Sequence, residues 1–267
     1  MTLTSLSFLF ALLFAAAVFP LLPGPRLRQA ALALLNLGFL LSLDLNEANL
    51  AALAFFLLYG YATALGLRRW PRRSALWAVL LLQLAAFTIL RKYAFLELFL
   101  PSAWLRHPLA IVGLSYVLFR QWHFLVDVLE EQIPRPTLAG YLNYQLNLFT
   151  LLAGPIQRYN DFAASWEQPR PLPATSDDTL LALLRFFLGF LNVLIRAALC
   201  LQLYGLAWKG IQDAAWGAEP QRRAVCGWFA LLFYAYPAYV YFNFSGYCDI
   251  VIAGGALLGW RLPENFN

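Results

Sequence analysis

The 267-residue sequence predicts an all-α, polytopic membrane protein of about eight or nine transmembrane or re-entrant helices around a polar cavity. Three observations predict this class. Hydrophobic residues make up 61% of the chain and charged residues only 12%, about half the charged share of a soluble domain. Apolar runs recur from end to end, so residues 1–267 read as a single integral membrane domain. Arginines gather in short connections between the runs, as the positive-inside pattern requires. The net charge of +5 therefore belongs to membrane topology and not to nucleic-acid binding.

The elements follow in order. Residues 3–22 are uncharged and long enough to cross a bilayer at about 20 residues. No basic residue precedes them, so they read as a retained first helix and not a cleaved signal. Pro23, Gly24 and Pro25 end this run, and Arg26 and Arg28 follow. A shorter run, 30–43, stops at Asp44, Asn46 and Glu47, and a third covers 49–67. Arg68, Arg69, Arg72 and Arg73 come next. Basic and acidic connections alternate, which places these arginines in the cytoplasm and the N-terminus outside.

A fourth run covers 74–90 and leads to an aromatic, Pro-broken connector, 93–107. The fifth, 109–129, contains Arg120, His123 and Asp127. The sixth, 138–152, stops at Ala153-Gly154-Pro155. Residues 163–179 read as a hydrophilic loop whose Ser176 and Asp178 suit the cap of the next helix. That helix covers 180–206, and a second polar loop covers 209–223. A further helix begins at Val225 and runs to about Tyr241, before the final stretch 239–267. Short runs interrupted by Gly or Pro suggest re-entrant or tilted helices lining a cavity.

Polar groups inside apolar runs are costly and mark cavities, substrate paths or packed networks. On a helix, Arg120, His123 and Asp127 share one face, so Arg120 and Asp127 are expected to pair. Arg158 and Asp161 follow the break at Pro155, where a fixed arginine could bind an anion or anchor the chain at the interface. In the final stretch Tyr236, Tyr239, Asn243 and Tyr247 share one helical face, and Tyr241, Ser245 and Asp249 another. Gly254, Gly255 and Gly259 would let helices approach closely. Cys200, Cys226 and Cys248 are isolated thiols suited to packing, without metal-ligand spacing. No phosphate loop and no Ser/His/Asp order is present, so residue chemistry alone names no reaction.

Three motifs do carry a resemblance. Gly113, Ser115 and Phe119 lead to Asp127-Val128. Ala153-Gly154-Pro155-Ile156 continues through Arg158-Tyr159 to Asp161-Phe162. Tyr241-Phe242, Phe244-Ser245-Gly246-Tyr247 and Asp249 run into Leu262-Pro263-Glu264-Asn265-Phe266-Asn267. In this order they resemble the membrane-bound O-acyltransferase family, in its bacterial alginate O-acetyltransferase and D-alanyl-teichoic-acid branch. The resemblance is strong from about Gly113 to Asn267 and is general hydropathy before it. Asn243 stands where the family usually has Asp, Cys248 where Ser is usual, and Asn192-Val193 where a basic pair is usual.

The resemblance implies transfer of an acyl group, often acetyl, to a hydroxyl of an extracytoplasmic polysaccharide, with D-alanyl transfer to teichoic acid as the alternative. It implies a bacterial inner-membrane enzyme among lipids, holding no bound cofactor or metal. The thioester acyl donor, or an acyl-carrier protein bearing it, would come from the cytoplasmic side. A secreted or tethered partner would complete transfer outside. Asp127, Arg158, Tyr241, Asn243, Ser245, Tyr247, Asp249, Asn265 and Asn267 would line a central polar tunnel. The family's catalytic histidine lies in a Trp-Arg-x-Trp-His setting expected beyond Asn267, so neither His107 nor His123 inherits its role. An incompetent scaffold is a second reading. A transporter built on Arg120, Asp127, Asn243 and Asp249 is a third, for which no internal repeat is visible.

Overall fold

Backbone polar groups at membrane depth must be satisfied within their own segment, and every described element of this chain is helical. The computed structural model describes residues 14–15, 18–43, 45–91, 114–133, 135–151, 154–155, 157–167, 176–216, 224–260 and 262–265. The connector expected over 93–107 and most of the helix expected over 3–22 lie outside them, apart from a 3-10 turn at Phe19–Leu21. The chain forms two compact units. The first comprises residues 1–171 and 258–263, and the second residues 172–257 and 264–267.

The first unit contains α1 (Pro25–Leu41), α2 (Glu47–Arg69), α3 (Arg73–Arg91), α4 (Leu114–Leu129), α5 (Leu138–Gln145) and α6 (Tyr159–Glu167). Pro25 opens α1, where its missing N–H has no partner to lose. Arg26 and Arg28 therefore lie in the first turn of α1 and not in a connection, and Arg28 Nε donates to the Leu22 carbonyl at 3.1 Å. Asn46 caps α2 by accepting from the Asn49 N–H at 2.8 Å. Arg68 and Arg69 occupy its last turn, where cations complement the helix dipole. The sixth apolar run is helical for only eight residues, and its remainder folds irregularly. The loop expected over 163–179 begins inside α6. Phe124 joins the helices by meeting the Tyr141 ring at 4.8 Å and the Tyr159 ring at 5.0 Å.

The second unit is a long helix pair. Its first arm is continuous through α7 (Ser176–Leu191), a π-helical segment (Asn192–Ala197) and α8 (Ala198–Trp216). Lys209, expected in a loop, is helical because the apolar pattern carries on past it. The return arm, α9 (Val225–Leu257), fuses the two segments expected to meet near Tyr241 into 33 residues. Pro237 inside it removes one backbone donor, which membrane helices tolerate. The arms run antiparallel: Arg185 stands opposite Asp249, Tyr204 opposite Tyr236, and Gly210 opposite Trp228.

The two backbones approach closely at Gly189 and Gly246, where a Cβ on either would lie 2.7 Å from the other's carbonyl oxygen. Small residues are required there. Gly259 has a different role from the packing expected of it. Its φ of 77° is the left-handed conformation that follows a helix end, two residues past Leu257.

Among the described residues three helices are long and apolar enough to cross a membrane: Glu47–Arg69, Asp177–Ala214 and Val225–Leu257. This is a multi-pass membrane protein. Parts of the eight or nine segments expected fall outside the described residues, and α5 is too short to cross.

Candidate functional site

Two polar centres emerge, one in each unit. In the first, Arg120 is 1% exposed, and it does not face Asp127 as expected. Its Nη1 donates to the Tyr144 carbonyl at 2.7 Å and to Thr150 Oγ1 at 2.9 Å, and its Nη2 to the Thr150 carbonyl at 3.2 Å. These acceptors exist because α5 stops at Gln145 and leaves carbonyls that need donors. Arg120 thus caps a short helix and fixes the irregular turn after it. Asn36 does the same from α1, donating to Asn143 Oδ1 at 3.3 Å and accepting from the Leu148 N–H at 2.9 Å.

Asp127 lies 4.0 Å from Arg158, whose side chain is 63% exposed. The cation that faces Asp127 is therefore the one after the Pro155 break. Asp127 Oδ2 is buried without a hydrogen-bond partner among the described residues. His123 is exposed on α4, and Asp161 is exposed on α6.

The second centre is a cavity of about 250 Å³ lined from α7, the π segment, α9 and the segment after it. Arg185 donates from Nε to Asp249 Oδ1 at 2.9 Å and from Nη1 and Nη2 to the two Glu264 oxygens at 2.6 and 2.5 Å. Such a fork is the strongest form of arginine–carboxylate pair. It holds the Glu264 carboxyl below the usual carboxylate range. Asn265 Nδ2 lies 3.4 Å from Cys248 Sγ, a second tie between this segment and α9.

Tyr241, Ser245, Asp249 and Asn265 line this cavity together. The helical face predicted to unite the first three does so because α9 is unbroken through them. Asn243 is exposed on another side of α9, and Tyr247 is buried; neither lines the cavity. Asn267 lies outside the described residues. Asp127 and Arg158 belong to the first unit.

Arg185, Asn192, Arg196, Cys248 and Glu264 line the cavity without having been singled out as site residues. The two arginines carried a signal, since each is a cation inside a long apolar run. Among the described residues the lining includes no histidine, and no group of three His, Cys, Asp or Glu could hold a metal ion.

Fold and site define a multi-pass, all-helical membrane protein whose longest helix pair encloses a cavity lined with ionised groups. No family model matches the chain. It is similar to the probable alginate O-acetylase AlgI of Pseudomonas fluorescens, 28% identical over 205 residues, covering 76% of this chain and 37% of that protein. The protein of that name from Pseudomonas aeruginosa is 29% identical over 168 residues, covering 61% of this chain and 29% of its own length. The teichoic acid D-alanyltransferase of Bacillus subtilis is 26% identical over 187 residues, covering 64% of this chain and 44% of that protein. The chain therefore spans less than half the length of these curated relatives. Its homologues are alginate O-acetylases and teichoic acid D-alanyltransferases, the two kinds that the motif resemblance named.

Proposed function

We propose that the chain supplies part of a membrane-bound O-acyltransferase that moves an acetyl group onto hydroxyls of an acidic extracytoplasmic polysaccharide. One observation carries the reading. Residues from both ends of the final motif, Tyr241 to Asp249 and Glu264-Asn265, converge on one polar cavity beside the longest apolar helix. A membrane enzyme that joins a cytoplasmic donor to an outside acceptor needs such a polar compartment at depth. The relatives named alginate O-acetylase support the acetyl group and an acidic polysaccharide.

In this reading Ser245, Asp249, Asn265 and Tyr241 form the wall that orients the acceptor. Tyr247, buried on the same helix, backs that wall. A histidine would take the hydroxyl proton as the oxygen attacks the thioester carbonyl, and the thiolate would leave. The donor arrives as a thioester, free or on an acyl-carrier protein, with no resident cofactor. The enzyme sits in the bacterial inner membrane with its N-terminus outside. That orientation is supported by Arg26, Arg28, Arg68, Arg69, Arg72 and Arg73 at helix ends on either side of the acidic connection. A secreted or tethered partner would pass the group to the polymer.

The relatives named teichoic acid D-alanyltransferase favour a second acyl group, D-alanyl, carried to a phosphate-rich polymer. Deleting the locus and measuring ester-linked acetate and D-alanine on the cell-envelope polymers separates the two. Loss of acetate supports the first reading and loss of D-alanine the second. Unchanged levels of both would overturn the acyltransferase reading.

A further inference from the structure

The charges in the cavity are evenly numbered but unevenly paired. Asp249 and Glu264 both bind Arg185. Arg196 takes neither. Its Nη1 donates to the neutral Asn192 Oδ1 at 2.6 Å, and its guanidinium lies 5.8 Å from the centre of the Phe242 ring. No carboxylate pairs with it among the described residues.

Arg196 is exposed on its helix and opens onto the cavity that it lines. Arg196 is the twentieth of the 38 residues in the apolar helix Asp177–Ala214. A cation there is retained where it meets a counter-charge or a polar path. The helix changes form at the same place. The π-helical segment Asn192–Ala197 carries both Asn192 and Arg196 to the cavity wall, and π turns inside α-helices concentrate at functional sites. Asn192 uses one of the five guanidinium N–H groups and orients the rest. Ser245 and Asn265 line the same space with further hydrogen-bonding groups.

We propose that Arg196 is the cation of an anion subsite in this cavity, oriented by Asn192 and built for a carboxylate or phosphate group. The cavity has room for such a group with part of its carrier. The inference rests on the acyltransferase reading for what bears the anion, a unit of an acidic acceptor polymer. It rests on the cavity alone for the anion itself.

The test is equilibrium binding to the purified full chain in uncharged detergent, read by calorimetry. The probes are D-glucuronate, glycerol 3-phosphate and uncharged methyl glucoside. One of the two anions should bind at a single site, and methyl glucoside should not. Arg196→Gln should weaken anion binding by about tenfold or more, as loss of a charged hydrogen bond does. Arg196→Lys should weaken it less, and Arg68→Gln should leave it unchanged. Equal binding by wild type and Arg196→Gln, or equal binding of methyl glucoside, would overturn the subsite. So would absence of anion binding by wild type. If Arg196→Gln does not fold, the charged-against-uncharged comparison on wild type and Arg196→Lys decides.

Adding phosphatidylglycerol separates the sources. Displacement of glucuronate would assign the anion to a lipid headgroup phosphate, and persistence to a soluble acceptor; either keeps Arg196 as the cation. Binding needs no turnover. Anion binding without envelope acylation would leave the subsite and remove the enzyme reading, and the converse result would remove only the subsite.

Discussion

Arg185 grips Glu264 with both terminal nitrogens across 79 residues of sequence, while its Nε holds Asp249 at 2.9 Å. One side chain on α7 thereby ties α9 to the segment that follows it. Two carboxylates on a single guanidinium fix the relative placement of the three groups.

The clamp should reveal itself through pH. Glu264 has its carboxyl depressed below 4.5 by the Arg185 hydrogen bonds. A depressed acid contributes stability above its unfolded value and loses it as pH falls through the folded value. Thermal unfolding of wild type and Glu264→Gln should therefore differ at neutral pH and converge only as pH falls below the ordinary glutamate range. Half of the Glu264 side chain is open, so the difference should be small. A gap that persisted unchanged at low pH would show that the pair does not hold.

Arg120 should be the costliest arginine to lose. Arg120→Met leaves the Tyr144 and Thr150 carbonyls buried without their donor. The expected loss is about 2–5 kcal/mol, because each buried carbonyl left without a donor costs about 1–3 kcal/mol. Arg158→Ala should cost no more than about 1 kcal/mol, because its partner Asp127 is 4.0 Å away and Arg158 itself is exposed. Denaturant unfolding in mixed micelles measures both. Similar losses would contradict this ranking.

Closing the Gly189–Gly246 contact with a methyl group should push the helix pair apart. Gly246→Ala places a Cβ 2.7 Å from the Gly189 carbonyl oxygen and 2.7 Å from Asn192 Cβ. Overpacking of this kind costs about 1–3 kcal/mol. Gly227→Ala, at a position open on the same helix, is the control and should be neutral or better. The comparison is made by thermal aggregation of the solubilised variants.

Neighbouring residues of the final motif should separate by function. Ser245 lines the cavity and Asn243 is exposed on another side of α9. Ser245→Val should lower envelope acylation in a complemented deletion strain by at least about tenfold, a typical effect of misplacing a positioning group. Asn243→Ala should stay within about twofold of wild type, as expected for a side chain remote from the reacting groups. Equal losses would remove the cavity from the acyltransferase reading.

Much was legible in the sequence because a bilayer permits few solutions. Apolar runs demanded helices, and their ends appeared within two residues for α2 and α3, while α1 begins five residues early at Pro25. The four-residue spacing of Tyr241, Ser245 and Asp249 placed them on one face, and the unbroken α9 kept them there. Helix periodicity is local, so local sequence sufficed.

Pairing across the chain was decided elsewhere. Spacing within one helix proposed Arg120 with Asp127, but Arg120 turned to carbonyls that α5 exposed by ending early. Arg185 and Glu264 meet only because α9 folds back along α7. Gly189 and Gly246 set how closely those arms lie, and the π turn then brings Arg196 to the cavity. The sequence by itself determined which segments are helical and which of their faces are polar. The tertiary structure alone decided which charges meet, because desolvation at depth makes each ion take the partner that packing brings within reach.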